Sequence, residues 1–378
     1  VMRKVIMVCL AGLLIMGCKK AKKEEGIVPG GKKWTQNVGA AVYAGLAYGE
    51  NMIYCATNDG DLYALDKSGN IVWYYDGEGA VSGTPMVYGG KVYYGTDANH
   101  LYAVTKDSGE LAFKVSLPAE IVTSPAALGT KIVVAAGNVI YTVDTASRNY
   151  QEIFTAQDNV KSSPVVYNGV IYFGTEDGHL YGIKSDGTQS LDFQAGSAIR
   201  VSPAIDENGN IYFGTINGVF YSISSGGQIN WVDTVGAGIQ SSPIIFGNTV
   251  CFGANDGNVY AYSTNDGKQL WKFATDTLTT TFIISSPAVS ADSIIYIGNS
   301  AGRFCAIKDG KLEWDWYADN AIHSAPLLAP DTTVYFGVMD GEVWAVKTAN
   351  ILMKSTCPMF RCNPQRTGNI TTAKGLIF

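Results

Sequence analysis

The chain has 378 residues, of which 47% are hydrophobic and 16% charged, and its net charge is −6. This length is ample for a large buried core. No basic stretch beyond the N-terminal region could follow a phosphate backbone, so no nucleic-acid partner is expected. Short runs of Val, Ile, Tyr and Phe, broken by Gly, Asn and Asp, take the place of long helical periodicity. This pattern indicates an all-β protein.

Residues 1–17 are predicted to be a signal peptide rather than part of the fold. A basic pair precedes an apolar run of 12 residues, Val5 to Met16, which is shorter than the roughly 20 residues that span a bilayer. Gly17 and Cys18 follow, and this junction resembles the bacterial lipobox. The resemblance implies cleavage before Cys18 and a diacylglyceryl group on its sulfur. The alternative is an ordinary secretory signal with an incidental cysteine.

Residues 18–31 are predicted to form a lipid-anchored tether. Four lysines follow the cysteine, and they are either attracted to anionic lipid headgroups or simply keep the linker solvated. Lys19 stands where an aspartate retains lipoproteins in the inner membrane of enteric bacteria. The sequence therefore favours the outer membrane, and the periplasmic face of that membrane is the expected location.

A unit of about 40 residues recurs eight times between residues 32 and 348. Each unit begins with a strand that contains a proline in seven copies, and an apolar strand such as "VIYFG" comes next. An Asp-Gly or Asn-Gly turn often follows, since these pairs accept the positive φ of a tight hairpin. A third strand with an aromatic residue and a fourth with another complete the unit, which is typical of a β-propeller blade. The prolines are Pro85, Pro125, Pro164, Pro203, Pro243, Pro287 and Pro326.

The fourth strand of the last unit is missing from its place in the chain. Seven units have a fourth-strand aromatic: Trp73, Phe113, Phe154, Phe193, Trp231, Trp271 and Trp314. The eighth has none, whereas Trp34 lies about one period before Trp73 with no unit ahead of it. We therefore predict an eight-bladed β-propeller of four-stranded antiparallel blades. An N-terminal strand completes the last blade and removes its free edge.

The repeats resemble those of the PQQ-like (pyrroloquinoline-quinone-type) eight-bladed propellers. The stretch "AYSTNDGKQLW", which ends at Trp271, is close to the docking pattern of that family, in which the tryptophan stacks between neighbouring blades. The resemblance implies a docking role for Trp34, Trp73, Trp231, Trp271 and Trp314. The segment "CPMFRCNPQRTGN" also resembles one found in these proteins. Residues 32–348 are thus expected to form the propeller and residues 349–378 a C-terminal tail that packs on it.

The tail contains Cys357 and Cys362, five positions apart. In an oxidising envelope the two would bridge and pin the tail, but spacing alone leaves a pair of free thiols equally open. Cys55, Cys251 and Cys305 each replace an apolar or aromatic strand residue, so we expect them to be buried packing residues.

The family includes quinone-dependent alcohol dehydrogenases and also cofactor-free scaffolds, among them a lipoprotein of the outer-membrane β-barrel assembly machinery. The dehydrogenases use an adjacent cysteine pair and a calcium ion held by carboxylate and amide groups. No two cysteines are adjacent here and no such ligand set is recognisable, so we expect no catalytic residue, cofactor or metal. The expected function is that of a monomeric scaffold that binds envelope proteins. The alternatives are a quinone- or small-ligand-binding propeller (a dehydrogenase or sensor) and a surface module that binds carbohydrate or cell wall.

The residue three positions before each proline should lie where the chain enters an inner strand, at one mouth of the central channel. These residues are Ser82, Val122, Lys161, Arg200, Gln240, Ile284 and His323. Lys161 and Arg200, with Gln240 and His323, are a candidate contact for an anion or an acidic partner. The alternative is that the two cations are entry residues paired with nearby carboxylates. A longer connection between Pro243 and Pro287 is either a further contact site or neutral drift.

Overall fold

The computed structural model describes residues 28–277, 280–355 and 357–370. Within these ranges the chain forms 32 strands in eight four-stranded antiparallel sheets. The prediction of an all-β, eight-bladed propeller is confirmed. None of the described residues forms a helix long and apolar enough to cross a membrane. The predicted signal peptide and lipidation site at Cys18 lie outside the described residues.

The strands follow one another blade by blade, except that the first strand of the chain belongs to the last blade. Blades 1 and 2 follow β1 (Lys32–Asn37) and comprise β2 (Ala47–Gly49), β3 (Met52–Ala56), β4 (Leu62–Asp66), β5 (Ile71–Tyr75), β6 (Met86–Tyr88), β7 (Lys91–Gly95), β8 (His100–Thr105) and β9 (Leu111–Ser116). Blades 3 and 4 comprise β10 (Ala126–Leu128), β11 (Lys131–Ala136), β12 (Val139–Asp144), β13 (Tyr150–Thr155), β14 (Val165–Tyr167), β15 (Val170–Gly174), β16 (His179–Lys184) and β17 (Gln189–Gln194).

The second half of the propeller repeats this arrangement. Blades 5 and 6 comprise β18 (Ala204–Ile205), β19 (Ile211–Gly214), β20 (Val219–Ile223), β21 (Ile229–Thr234), β22 (Ile244–Phe246), β23 (Thr249–Gly253), β24 (Asn258–Ser263) and β25 (Gln269–Ala274). Blades 7 and 8 comprise β26 (Ala288–Val289), β27 (Ile295–Gly298), β28 (Arg303–Lys308), β29 (Lys311–Tyr317), β30 (Leu327–Ala329), β31 (Thr333–Gly337) and β32 (Glu342–Lys347), with β1 as the outer strand of blade 8.

The N-terminal strand closes the ring. β1 pairs antiparallel with β32, with Trp34 opposite Ala345, and the sheet order of blade 8 is β1-β32-β31-β30. Just ahead of β1, the Gly30 N–H donates to the Lys347 carbonyl at 2.8 Å. The closure predicted from the unmatched position of Trp34 is therefore confirmed, and the outer side of β32 is paired rather than exposed.

Glycine at the end of most second strands makes room for an apolar side chain of the next blade. A Cβ placed on Gly174 would lie 2.3 Å from Ile199, which stands four residues before Pro203. Blade 1 ends its second strand with Ala56 instead, and the residue four before its next proline is the smaller Val81. Both are fully buried in one apolar cluster. Paired changes in side-chain size thus keep the spacing between blades.

The tryptophans of the outer strands pack on turn glycines of the following blade. Trp34 lies over Gly69, which has a φ of +89°, and a Cβ on this glycine would lie 2.7 Å from the indole ring. The Trp34 indole N–H donates to the Lys67 carbonyl at 2.8 Å. The same packing is made by Trp73 on Gly109, Trp231 on Gly267, Trp271 on Gly310 and Trp314 on Gly30. The last of these contacts crosses the closure, because Gly30 precedes β1.

Gly69→Ala is expected to destabilise the protein more than Gly39→Ala. The two glycines have nearly the same φ, +89° and +92°, so alanine strains both backbones alike, but nothing lies within 4 Å of a Cβ at Gly39. The contact with the Trp34 ring should cost an additional ~1–3 kcal/mol, the usual range for overpacking. Urea unfolding measures the difference, and equal destabilisation of the two variants would contradict tight docking of Trp34.

Candidate functional site

The inner strands surround a funnel that opens at one face of the propeller. A cavity of about 710 Å³ occupies this mouth, and all seven side chains predicted to crowd it line its wall: Ser82, Val122, Lys161, Arg200, Gln240, Ile284 and His323. The remaining blade, blade 1, contributes Tyr43, which the sequence analysis missed. Leu46 takes the place of the proline in that blade, so the mark that located the other seven residues is absent there.

The two cations at the mouth are neutralised by carboxylates. Lys161 Nζ lies 2.8 Å from Glu120 Oε1. Arg200 binds both oxygens of Glu176, with Nε donating at 2.8 Å and Nη2 at 2.9 Å. The structure therefore has the arrangement given as the alternative, in which the entry residues are paired. A net positive arc at the mouth is not present.

His323 lies between two aromatic rings at the same mouth. Its ring centroid is 5.5 Å from that of Tyr43, in an edge-on arrangement, and 5.8 Å from that of Phe282. Neither ring nitrogen has a hydrogen-bond partner among the described residues. Burial lowers the pKa of His323. Phe282 belongs to the longer connection between Pro243 and Pro287, which thus reaches the funnel mouth.

Hydroxyl groups link neighbouring blades below the mouth. The residue directly before the proline is a serine or threonine in most blades, and its hydroxyl accepts a hydrogen bond from the backbone N–H at the same position of the preceding blade. Five such links are Gly45 to Thr84, Thr84 to Ser124 and Ser124 to Ser163, each at 2.9 Å, Ser202 to Ser242 at 3.0 Å, and Ser242 to Ser286 at 2.9 Å. The Ser-Pro pairs of the sequence therefore join the blades around the axis.

The C-terminal tail fills the opposite end of the axis. In six blades the backbone N–H two residues after the proline position donates to a carbonyl of the tail. The pairs are Tyr48 to Pro364, Ala127 to Thr367 and Ile245 to Cys357 at 2.8 Å, Val87 to Gln365 and Val289 to Pro358 at 2.9 Å, and Val166 to Gly368 at 2.7 Å. The tail thus pairs with inner-strand edges that have no other neighbour, and its Phe360 reaches the wall of the funnel cavity.

Two fully buried arginines of the tail satisfy inner-strand carbonyls. Arg366 donates from Nε to the Leu46 carbonyl at 2.8 Å, and from Nη2 to the Pro326 carbonyl at 2.8 Å. Arg361 donates from its two terminal nitrogens to the carbonyls of Pro164 and Pro125. Burial lowers the pKa of both guanidiniums, to about 10 for Arg361 and about 9 for Arg366, so both stay charged at neutral pH.

Sequence reasoning missed the role of these arginines. They lie in a segment without periodicity, and no pattern distinguishes them from surface arginines. The signal that could have found them is their position in "CPMFRCNPQRTGN". Apart from the two arginines, this stretch contains only uncharged residues. Two cations without carboxylates nearby in the chain suit a site rich in backbone carbonyls.

The cysteines of the described residues are all buried free thiols. Burial raises the pKa of Cys55, Cys251 and Cys305. Cys357 lies within hydrogen-bonding range of Cys362, and this contact together with burial raises the pKa of the Cys357 thiol. In this structure the two sulfurs are neighbouring free thiols, and a disulfide between them stays a prediction.

The funnel does not provide the ligands of a quinone–calcium centre. Among the described residues that line the cavity, Glu176 is the sole carboxylate, and both its oxygens bind Arg200. Calcium takes six to eight oxygen ligands, usually with several carboxylates. The described part of the chain contains no group of three or more His, Cys, Asp or Glu side chains that could hold a metal. The residues present do not fit such a centre.

The blades, their docking tryptophans and the tail define an eight-bladed β-propeller built from PQQ-type repeats. The family model described as "Outer membrane protein assembly factor BamB" matches residues 27–105, 82–272 and 188–350. These matches extend over most of the chain, and the chain belongs to this family.

Solved structures share the fold. The computationally designed Ika8 protein superimposes with a TM-score of 0.72 at 20% identity, over 82% of this chain and 97% of that one. BamB from Moraxella catarrhalis gives a TM-score of 0.70 at 15% identity, over 84% of this chain and 99% of that one. At these identities the likeness concerns the fold alone. The Beta-alanine-activating enzyme of Danio rerio is 28% identical over 97 residues, which are 23% of this chain and 8% of that protein.

Replacing Arg366 should destabilise the whole propeller. Arg366→Leu leaves the carbonyls of Leu46, Ala325 and Pro326 without their donor, and each unsatisfied buried group costs ~1–3 kcal/mol. We expect a loss of at least ~3 kcal/mol on that basis, and a smaller loss for Arg366→Lys, which keeps one charged donor group. Arg200→Leu is the control, because exposed ion pairs contribute ~0–1 kcal/mol. Similar urea midpoints for Arg366→Leu and Arg200→Leu would contradict the role of the tail arginine.

His323 should make the protein less stable in mild acid. Burial lowers its native pKa below the ordinary value of 6.5. As the pH falls through 6.5, the unfolded chain therefore binds a proton that the native state excludes. The free energy of unfolding therefore decreases as the pH is lowered. His323→Gln should remove this part of the loss between pH ~7.5 and ~5. The check is urea unfolding of parent and variant at both pH values, and an unchanged pH dependence would show that His323 is not the cause.

Proposed function

We propose that this protein is a non-catalytic lipoprotein of the bacterial cell envelope that acts as a protein-binding scaffold in outer-membrane protein assembly. It is anchored through Cys18 at the periplasmic face of the outer membrane. The observation that carries the proposal is the match of nearly the whole propeller to the family model of an outer-membrane assembly factor. The finding that the funnel residues do not suit a quinone–calcium centre supports a role in binding rather than in oxidation.

The form of the funnel supports a contact with a protein at its open mouth. The tail occupies the other end of the axis, so a partner has access to the inner strands from one side. Lys161, Arg200, Gln240 and His323 are the candidate contact residues there. The ion pairs of the two cations leave the mouth near neutral, and an acidic group of a partner would bind by exchanging with Glu120 and Glu176. Such paired charges favour selectivity for a matching surface over attraction of any anion.

Copurification from detergent-solubilised envelope tests the scaffold function. The tagged full chain should retain one or more envelope proteins through a high-stringency wash, and Cys18→Ser should release the chain from the membrane fraction. Recovery of no envelope protein above an untagged control would count against a scaffold. Membrane attachment that persists in Cys18→Ser would count against the lipid anchor.

The contact at the funnel mouth has its own test. Lys161→Ala combined with Arg200→Ala should lower the recovery of the partner at low ionic strength, and high salt should reduce the difference because it screens the charges. Lys184→Ala combined with Lys268→Ala is the matched control, since both lysines are exposed and neither lines the funnel. Equal recovery with the two double variants would place the contact elsewhere on the propeller.

A further inference from the structure

The outer strand of blade 1 exposes an apolar edge. β5 has five residues, "IVWYY", none of them charged. Three of the five are exposed large apolar or aromatic side chains: Ile71 at 41%, Val72 at 48% and Tyr74 at 61% of full accessibility. β5 ends the sheet order β2-β3-β4-β5, so no strand of the described residues lies beside the backbone N–H and C=O groups on its outer side.

The other seven outer strands are protected by charge. Each carries at least one ionisable side chain within the strand: Lys33, Lys114, Glu152, Asp192, Asp233, Lys272 and Glu313. Charged residues on edge strands oppose pairing with another chain, because pairing would bury them. β21 also exposes two large apolar residues, but it contains Asp233. β5 is therefore the one outer strand of the described propeller without such protection.

The apolar surface of β5 continues onto the neighbouring strand. The Tyr74 ring stacks on Tyr63 of β4, with centroids 5.7 Å apart and planes inclined by 23°. Tyr63 and Tyr74 are also cross-strand partners. This aromatic pair gives an incoming strand a flat, rigid apolar support beside the open backbone edge.

One end of this edge is acidic. Leu62 pairs with Tyr75, so Asp61 and Asp76, the residues that flank this pair, lie at the same end of the blade. Asp59 lies in the adjacent hairpin. Burial, followed by the charges of Asp59 and Asp76, raises the pKa of Asp61. None of the ion pairs among the described residues includes Asp59, Asp61 or Asp76, so the negative charge at this end is not neutralised by a described cation.

We propose that β5 is a docking strand that binds an extended segment of a partner protein by β-augmentation. The segment has apolar side chains at alternate positions and a basic residue at the end that meets Asp76. Main-chain hydrogen bonds to the open edge supply affinity, the Tyr63–Tyr74 surface accepts the alternate apolar side chains, and the carboxylates fix the direction. The identification of the partner as an envelope protein rests on the proposed function, whereas the docking strand itself does not.

A foreign segment fits this edge better than a second copy of the chain. In an antiparallel pair of β5 strands, the turn containing Asp66 and Lys67 would meet the acidic end. The charges of that turn cancel, and the three carboxylates would remain uncompensated. A segment that begins with lysine or arginine supplies the missing charge directly.

Fluorescence anisotropy with a labelled synthetic peptide tests the proposal. The peptide has two lysines followed by alternating valine and threonine, about ten residues in all, the length of a membrane β-strand. The purified full chain should bind it. Val72→Lys and Tyr74→Lys should each weaken binding at least about tenfold, or ~1.4 kcal/mol. Leu270→Lys is the matched control: Leu270 is 51% exposed on β25, which already contains Lys272. A peptide with alternate backbone nitrogens methylated should not bind, because it lacks the donors that pair with the edge.

Several outcomes would overturn the proposal. They are absence of peptide binding by the parent chain, an equal loss in Leu270→Lys, undiminished binding of the methylated peptide, or a dimer in light scattering that Val72→Lys converts to monomer. The melting temperature of each variant is measured alongside, so that a folding defect is recognised. If the envelope partner still copurifies while the peptide fails to bind, the docking strand is wrong and the scaffold function stands. Peptide binding without any copurified partner would support the docking strand and count against the scaffold function.

Discussion

Every four-stranded blade has two edges with unpaired backbone groups, and the partners of these edges decide the form of the molecule. The eight inner edges converge on one axis, where buried N–H and C=O groups without partners would cost free energy. The eight outer edges face solvent, where they are templates for pairing with other chains. Closure of the ring through β1 gives the last blade the same four strands as the others. The tail then pairs with the inner edges of six blades.

Proline and the tail are complementary solutions at the inner edge. A proline has no N–H, so placing it directly before the inner strand removes a donor that would need a partner, while its carbonyl still needs one. Arg361 and Arg366 supply several donors each in a planar fork and serve the carbonyls of Pro125, Pro164 and Pro326. Lysine, with a single compact ammonium group, could not reach carbonyls of separate blades at once. This explains why the two guanidiniums are buried here although neither forms an ion pair with a carboxylate of the described residues.

The fold was predictable from the sequence because each feature of a blade leaves a repeated local mark. Turn glycines, prolines at the entry to the inner strands and outer-strand aromatics recur in register, and the unmatched Trp34 indicated the closure. The mouth of the funnel followed from the prolines alone. Tyr43 was missed because Leu46 breaks that pattern, and the pairing of Arg200 with Glu176 joins residues on different blades that no local pattern connects. The tail arginines act through contacts with distant carbonyls, which a period of 40 residues does not encode.

The tail also changes how stability is shared among the blades. In an open array of repeats each unit contacts its neighbours only, so the free energy of unfolding is nearly a sum of local terms. Here the tryptophan docking crosses the closure between Trp314 and Gly30, and the tail bonds to inner strands of six blades. A local opening at one blade therefore disturbs contacts on the opposite side of the ring. Such coupling makes the propeller a stiff platform, on which an exposed edge such as β5 keeps a fixed geometry and loses little conformational entropy when a partner strand pairs with it.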